Sequence, residues 1–230
     1  DLKPIEASII DQYEAGIKKD FWNGIMSTNI TIYQITNSNL AQTAEFKADG
    51  VTPNTDTTIK VLNGATKSKG VEIDITAKPF EGMNINAGYS YNDSRYTKTS
   101  GGNGSFIEGD RLVRTPANTA NLSFFYTLPD GKLKGLSLGA IGNYIGERFG
   151  GWNDQYVVNA ITKVITINDR DIPLTGYTTI DFSAGYTWKK WNILCKLSNV
   201  TNELNYTVHE NYSVNPIAPR QIMTSIKYKF

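Results

Sequence analysis

Residues 221–230 read Gln-Ile-Met-Thr-Ser-Ile-Lys-Tyr-Lys-Phe. Ile222, Thr224, Ile226, Tyr228 and Phe230 fall on one face, and Gln221, Met223, Ser225, Lys227 and Lys229 on the other. A period of two predicts a strand with one apolar and one polar side. The same alternation recurs and predicts nine strands, at 9–18, 25–36, 67–78, 83–96, 114–128, 133–149, 176–188, 191–199 and 221–230. It is cleanest at 176–188, where Thr178, Ile180, Phe182, Ala184 and Tyr186 oppose Thr179, Asp181, Ser183, Gly185 and Thr187.

The connections between these strands alternate in length. Tight turns are expected at 19–24, 79–82, 129–132 and 189–190, with Asn23-Gly24 a strong hairpin signal. Long excursions span 37–66, 97–113, 150–174 and 201–219, and the third has room for a short strand at 164–167. All long loops therefore gather at one end. Outer-membrane barrels have this asymmetry, with short periplasmic turns and long extracellular loops. A soluble sandwich has no general reason to share it. Phe21, Trp22, Phe80, Trp188, Trp191 and Phe230 stand beside the short turns. They fit an interfacial girdle, or the closed end of a sandwich core.

Charge sharpens the choice. Glu14, Lys18, Glu72, Asp74, Lys78, Asp181, Lys196, Lys227 and Lys229 oppose apolar faces in strand after strand. On a soluble sheet they would be the wet side. Burying so many apolar faces would then need two complete sheets, whereas lipid needs no second sheet. The expected fold is an all-β antiparallel transmembrane β-barrel, with the polar residues toward the lumen.

Composition excludes other classes. The 230 residues are 40% apolar, too many for a disordered chain, and no run of eighteen apolar residues predicts a membrane helix. With 23 basic and 22 acidic residues, no basic block points to nucleic acid. One cysteine, Cys195, permits neither an internal disulfide nor a cysteine-rich metal site. It reads as a small hydrophobe on the apolar side. No leader's apolar core follows Asp1, so a mature chain or a fragment is expected.

Several pieces taken together resemble one family. They are Tyr13-Glu14-Ala15-Gly16-Ile17-Lys18, Gly70-Val71-Glu72-Ile73-Asp74, Gly88-Tyr89-Ser90-Tyr91 and Arg114-Thr115-Pro116-Ala117-Asn118. To these are added residues 173–181, Leu197-Ser198-Asn199-Val200-Thr201-Asn202, and the end from Pro219 to Phe230. In order and spacing they resemble the carboxy-terminal part of a TonB-dependent outer-membrane receptor, most closely the ferric-siderophore branch. The resemblance implies a barrel of about twenty-two strands closed by a plug domain. This chain would supply roughly the last nine strands, with residues 1–230 all barrel wall and loops and the plug and earlier strands absent. It implies a Gram-negative outer membrane and ferric siderophore as ligand. Implied partners are the rest of the receptor, the TonB-ExbB-ExbD system acting through the plug, lipid and the barrel assembly machinery. Ile222, Ile226, Tyr228 and Phe230 resemble the signal that machinery reads.

Candidate ligand contacts lie in or beside the long excursions: Arg148, Trp152, Tyr156, Tyr206, His209 and Tyr212. Aromatic rings and a guanidinium suit a bulky, partly anionic ligand through stacking and charge-assisted bonds. Plain loop packing would explain any one of them equally well. No catalytic residue is expected. Glu72 and Asp74 share a face with lysines and show no cleft, and His209, the single histidine, lacks a nucleophile elbow. Gly101-Gly102-Asn103-Gly104 lacks the lysine and helix of a phosphate loop. No cofactor and no protein metal site are expected, since iron would arrive already chelated. The alternatives are a glycan or peptide importer of the same family, a passive porin and a soluble β-sandwich binding module.

Overall fold

A computed structural model describes residues 6–56, 58–100, 107–152, 156–158, 165–167, 171–209 and 213–230. Among them there are strands and turns and no helix. The chain order is β1 (Ile9–Phe21), β2 (Met26–Thr43), β3 (Lys60–Ala77), β4 (Met83–Lys98), β5 (Asn118–Thr127), β6 (Leu136–Ile145), β7 (Arg148–Trp152) and β8 (Tyr156–Val158). There follow β9 (Ile165–Ile167), β10 (Asp171–Leu174), β11 (Tyr177–Trp188), β12 (Trp191–Ser198), β13 (Tyr206–His209), β14 (Ser213–Pro216) and β15 (Gln221–Tyr228). Nine of them form one antiparallel sheet in the order β1-β2-β3-β4-β5-β6-β11-β12-β15. These are the nine expected strands. The other six pair as ribbons, β7 with β10, β8 with β9 and β13 with β14.

The register turns the alternation into two faces. Ile17, Ile30, Ile73, Tyr89, Ala120 and Tyr144 lie in one row across six strands. On the opposite side Lys18, Asn29, Asp74, Gly88, Asn121 and Asn143 form the neighbouring row. A slip of one residue in any pair would send its apolar set to the polar side. No pair among the nine slips in the span beside the short turns, so a single apolar face runs from β1 to β15.

That face covers no core. Among the described residues the buried apolar side chains are only Ala44, Tyr96 and Val208. Ile17 is 74% exposed and Ile222 73%. The surface totals 15640 Å², whereas a compact soluble chain of this mass exposes about 10,400 Å². Glycine sets the spacing on the polar side at Gly70, where an added Cβ would run into the Tyr33 ring and the Tyr91 carbonyl. One polar-face ion pair joins Lys196 Nζ to Asp181 at 2.8 Å.

The short-turn end is aromatic, as expected. Phe21 meets Trp22 at 6.1 Å, Phe80 meets Tyr126 at 5.8 Å and Trp191 meets Tyr228 at 4.8 Å, with Phe230 edge-on to Tyr228 at 5.2 Å. Trp22, Asn23 and Gly24 all take positive φ in the first turn. The β5–β6 connection is longer than expected: Gly135 (φ 86) bends the chain and Gly135 N–H donates to Leu128 O, so β6 starts at Leu136 rather than Leu133.

The other end departs more from the sequence expectation. β2 and β3 continue to Thr43 and from Lys60, so the excursion expected over 37–66 shrinks to 44–59. Ladder bonds belong to the backbone, and pairing persists where side-chain alternation fails; Asn39 (φ 59) absorbs a register shift on the way. With 18 residues each, these strands exceed the nine to eleven or so that a bilayer requires. β5 begins at Asn118, not Arg114, because Arg114 takes φ 62 and Pro116 has no donor. Of the short strand expected at 164–167, the described residues Ile165–Ile167 form β9.

Candidate functional site

The long-loop end is built around Arg148, at the start of β7. β7 and β10 form a ribbon with Leu174 opposite Arg148 and Trp152 opposite Asp171. The β13–β14 ribbon packs against β7. There Val208, 8% exposed, approaches Gly150 so closely that an added Cβ would lie 2.8 Å from the valine Cβ. A glycine at that point lets two ribbons touch.

The Arg148 guanidinium locks them together. It is 8% exposed, and its Nη2 donates to Tyr206 O at 2.7 Å and Asn205 Oδ1 at 3.3 Å. Nη1 donates to Thr175 O at 3.3 Å and Gly146 O at 3.5 Å, and the group lies 5.3 Å from the Tyr177 ring centroid. A planar fork of donors suits this task, since it reaches carbonyls on three segments at once. Asn205 completes the knot. Its Oδ1 also accepts Tyr206 N–H, and its Nδ2 donates to Thr175 O at 3.4 Å. Just below, Asn199 (φ 49) donates to Glu203 O and Ala218 O, and its own N–H donates to Asp181. The Leu197-to-Asn202 stretch thus ends β12 and ties the fourth loop to its base.

Arg148, Glu147, Arg111, Tyr144, Phe149 and Leu174 help line a cleft of about 380 Å³ at the foot of the β7–β10 ribbon. The structure therefore brings Arg148 and Tyr206 into contact and sets Trp152 on the ribbon that Arg148 begins. Tyr206 is 41% exposed. Tyr156 pairs with Ile167 in the separate β8–β9 ribbon, and His209 pairs with Ser213 near the tip of the β13–β14 ribbon. Tyr212 and residues 101–104 lie outside the described residues. Sequence reading singled out neither Asn205 nor Arg111 and Glu147. Loop asparagines and charges follow no period, so alternation gives no signal for them.

At the chain's end Ile222, Ile226 and Tyr228 point to the apolar side at 73, 62 and 43% exposure, and Phe230 is fully exposed. Cys195 sits in the same face, where Thr224 Oγ1 lies 3.8 Å from its sulfur.

A sheet with one lipid-suited face, a polar second face and all long loops at one end defines a segment of outer-membrane β-barrel wall. The family model for the β-barrel of TonB dependent receptor-like proteins matches residues 1–202, and the chain belongs to that family. The metal-pseudopaline receptor of Pseudomonas aeruginosa is 25% identical over 220 residues, 95% of this chain and 27% of that protein. The ferrioxamine B receptor of Salmonella typhimurium is 30% identical over 185 residues, 80% of this chain and 22% of its own length. The solved ferripyoverdine receptor of the Pseudomonas aeruginosa outer membrane superposes with a TM-score of 0.73 at 21% identity, over 99% of this chain and 28% of that one. The chain thus spans about a quarter of the length of the curated relatives it matches. The family is one of outer-membrane transport receptors, and the soluble sandwich is set aside.

Proposed function

We propose that this chain is the carboxy-terminal wall and loop portion of a receptor for TonB-coupled uptake of a ferric siderophore. The observation that carries the reading is the long-loop end. Two ribbons knotted on Arg148 stand at the outer end of the wall, where a ligand from outside would arrive. Relatives named for ferrioxamine B and ferrichrome support the ligand class. A ferric siderophore is too large for a small open pore and too scarce for passive flow, so it needs an outer site and a gated route. Trp152, Tyr156, Tyr206, His209 and Tyr212 would supply stacking area at low entropic cost. Arg148 already spends four contacts on protein carbonyl and amide oxygens, which favours a role in holding the mouth's shape. Iron is cargo here, carried in its chelator.

The remaining parts belong to the same proposal. The plug and earlier strands would close the barrel and carry the contact with the TonB-ExbB-ExbD system. The assembly machinery would read Ile222, Ile226, Tyr228 and Phe230 on the last strand.

The test is uptake of radiolabelled ferric siderophore by cells making the full-length receptor, with and without TonB. Uptake should require TonB, and Trp152→Ala with Tyr156→Ala should weaken binding while leaving folded yield unchanged. Uptake undiminished without TonB would identify a passive pore. Growth that instead depends on an oligosaccharide or peptide would move the protein to the nutrient-importing branch.

A further inference from the structure

The apolar face is not uniform. A groove of about 540 Å³ crosses the four adjacent strands β5, β6, β11 and β12. Two register rows explain it. In one, Ala140 stands between Phe124 and Phe182. In the next, Ala184 and Cys195 stand side by side. Small side chains between large ones leave a furrow on a surface that faces hydrocarbon. Its upper row ends at Leu197, and its lower row adjoins the aromatic girdle at Tyr126.

A second observation lies at the foot of this groove. The turns joining β5 to β6 and β11 to β12 are neighbours in the sheet. They carry Lys132, Lys134, Lys189 and Lys190, against the single acid Asp130. All four lysines are exposed. Among the described residues none of them makes an ion pair. Aromatic rings hold two of them at the boundary: Lys189 Nζ is 5.0 Å from the Trp188 centroid, and Lys190 Nζ 5.9 Å from that of Tyr228. The other two short turns differ. The connection 78–82 balances Lys78 with Glu81, and 22–25 carries no charge.

We propose that this part of the wall is a binding site for an anionic phospholipid of the leaflet beside the short turns, with an acyl chain in the groove and the phosphate among the four lysines. The proposal rests on the chain's place in an outer-membrane barrel and is independent of which ligand is imported. Charge complementarity selects the occupant, because clustered lysines at a membrane surface attract acidic headgroups more strongly than zwitterionic ones. A second copy fits less well. A two-fold contact through the groove would set one lysine cluster against the other.

The full-length receptor, stripped of lipid in detergent, would be offered phosphatidylglycerol and phosphatidylethanolamine with the same acyl chains. Native mass spectrometry would count the retained lipid. Phosphatidylglycerol should be retained about tenfold over its zwitterionic counterpart. Lys132→Gln, Lys134→Gln, Lys189→Gln and Lys190→Gln together should bring the two to parity, with folding checked by heat-modifiable gel mobility. If that variant fails to fold, Lys189→Gln with Lys190→Gln should still lower the preference. Ala184→Leu should reduce retention of both lipids by filling the furrow. Equal retention by the wild type, or a preference untouched by loss of the lysines, overturns the proposal. So does a stable receptor dimer that Ala184→Leu breaks.

Discussion

The wall and the loop ribbons use the same antiparallel pairing but solve opposite problems. In the wall, β1–β6, β11, β12 and β15 turn large apolar side chains outward and bury almost none. Lipid is their solvent, so the backbone ladder does the holding. At the loop end the side chains that disappear from solvent are largely polar: Arg148, Asn199 and Asn205, beside Val208. Irregular segments leave carbonyls without ladder partners, and a buried carbonyl must find a donor. Among the described residues, side-chain burial at the loop end is organised by hydrogen bonds more than by apolar area.

The largest effect should come from charging the lipid side of the wall. Ile30→Lys, on the row that runs from Ile17 to Tyr144, should destabilise the full-length barrel in a bilayer by about 2–4 kcal/mol. Unfolding by urea in liposomes measures it. Deleting Phe230 should act in the same direction on folded yield, by weakening the last strand, which we propose the assembly machinery reads. If Ile30→Lys were neutral, the outward assignment of that row would fail.

A smaller and more local effect is expected at the knot. Arg148→Ala strands several buried carbonyls at about 1–3 kcal/mol each at most. It should release the β13–β14 ribbon while leaving the wall intact. Amide exchange should rise at 206–209 and 213–216 and stay unchanged in β1–β6. Arg148→Lys should restore little, because one ammonium cannot span the segments that the guanidinium fork bridges. Equal loosening of wall and ribbon would erase the distinction between the two regions.

The smallest effect concerns acid and the outer loop at 44–59. The Thr52 hydroxyl, then the Val51 and Thr52 amides, hold the Asp49 carboxyl below its ordinary value of 3.8. The Thr58 hydroxyl and amide do the same for Asp56. Folded values below unfolded ones mean that the loop's order is fully present above pH 3.8 and fades as pH falls through the lower folded values. Exchange at Val51, Thr52 and Thr58 should quicken there, while β2 and β3 hold their register. Faster exchange on raising the pH from 4 to 7, beyond the intrinsic base-catalysed rise, would contradict the sign.

Much of the wall was legible in the chain. Alternation at 67–78 and 176–188 marked strands, and the short turns marked one end. Period two is a local property of one strand and survives without knowledge of its neighbours. The long loops marked the other end, and the motifs around Asn199 and Arg114 marked the family. Less legible were the edges. Asn37 to Thr43 pair with β3 although their side chains do not alternate, and Leu133 belongs to a turn although it is apolar.

What the sequence determined alone was which side of each strand is apolar and where the chain turns back. Only the tertiary structure decided that nine such sides fall into one continuous face, because register is a relation between strands. Only it decided that Arg148 reaches Tyr206, some sixty positions away, since a buried donor selects whichever carbonyl the folded loops bring within 2.7 Å. The lysines at 132, 134, 189 and 190 are two unremarkable pairs in the chain. They become one cluster because β6 and β11 are hydrogen-bonded neighbours, which no reading of a single strand contains.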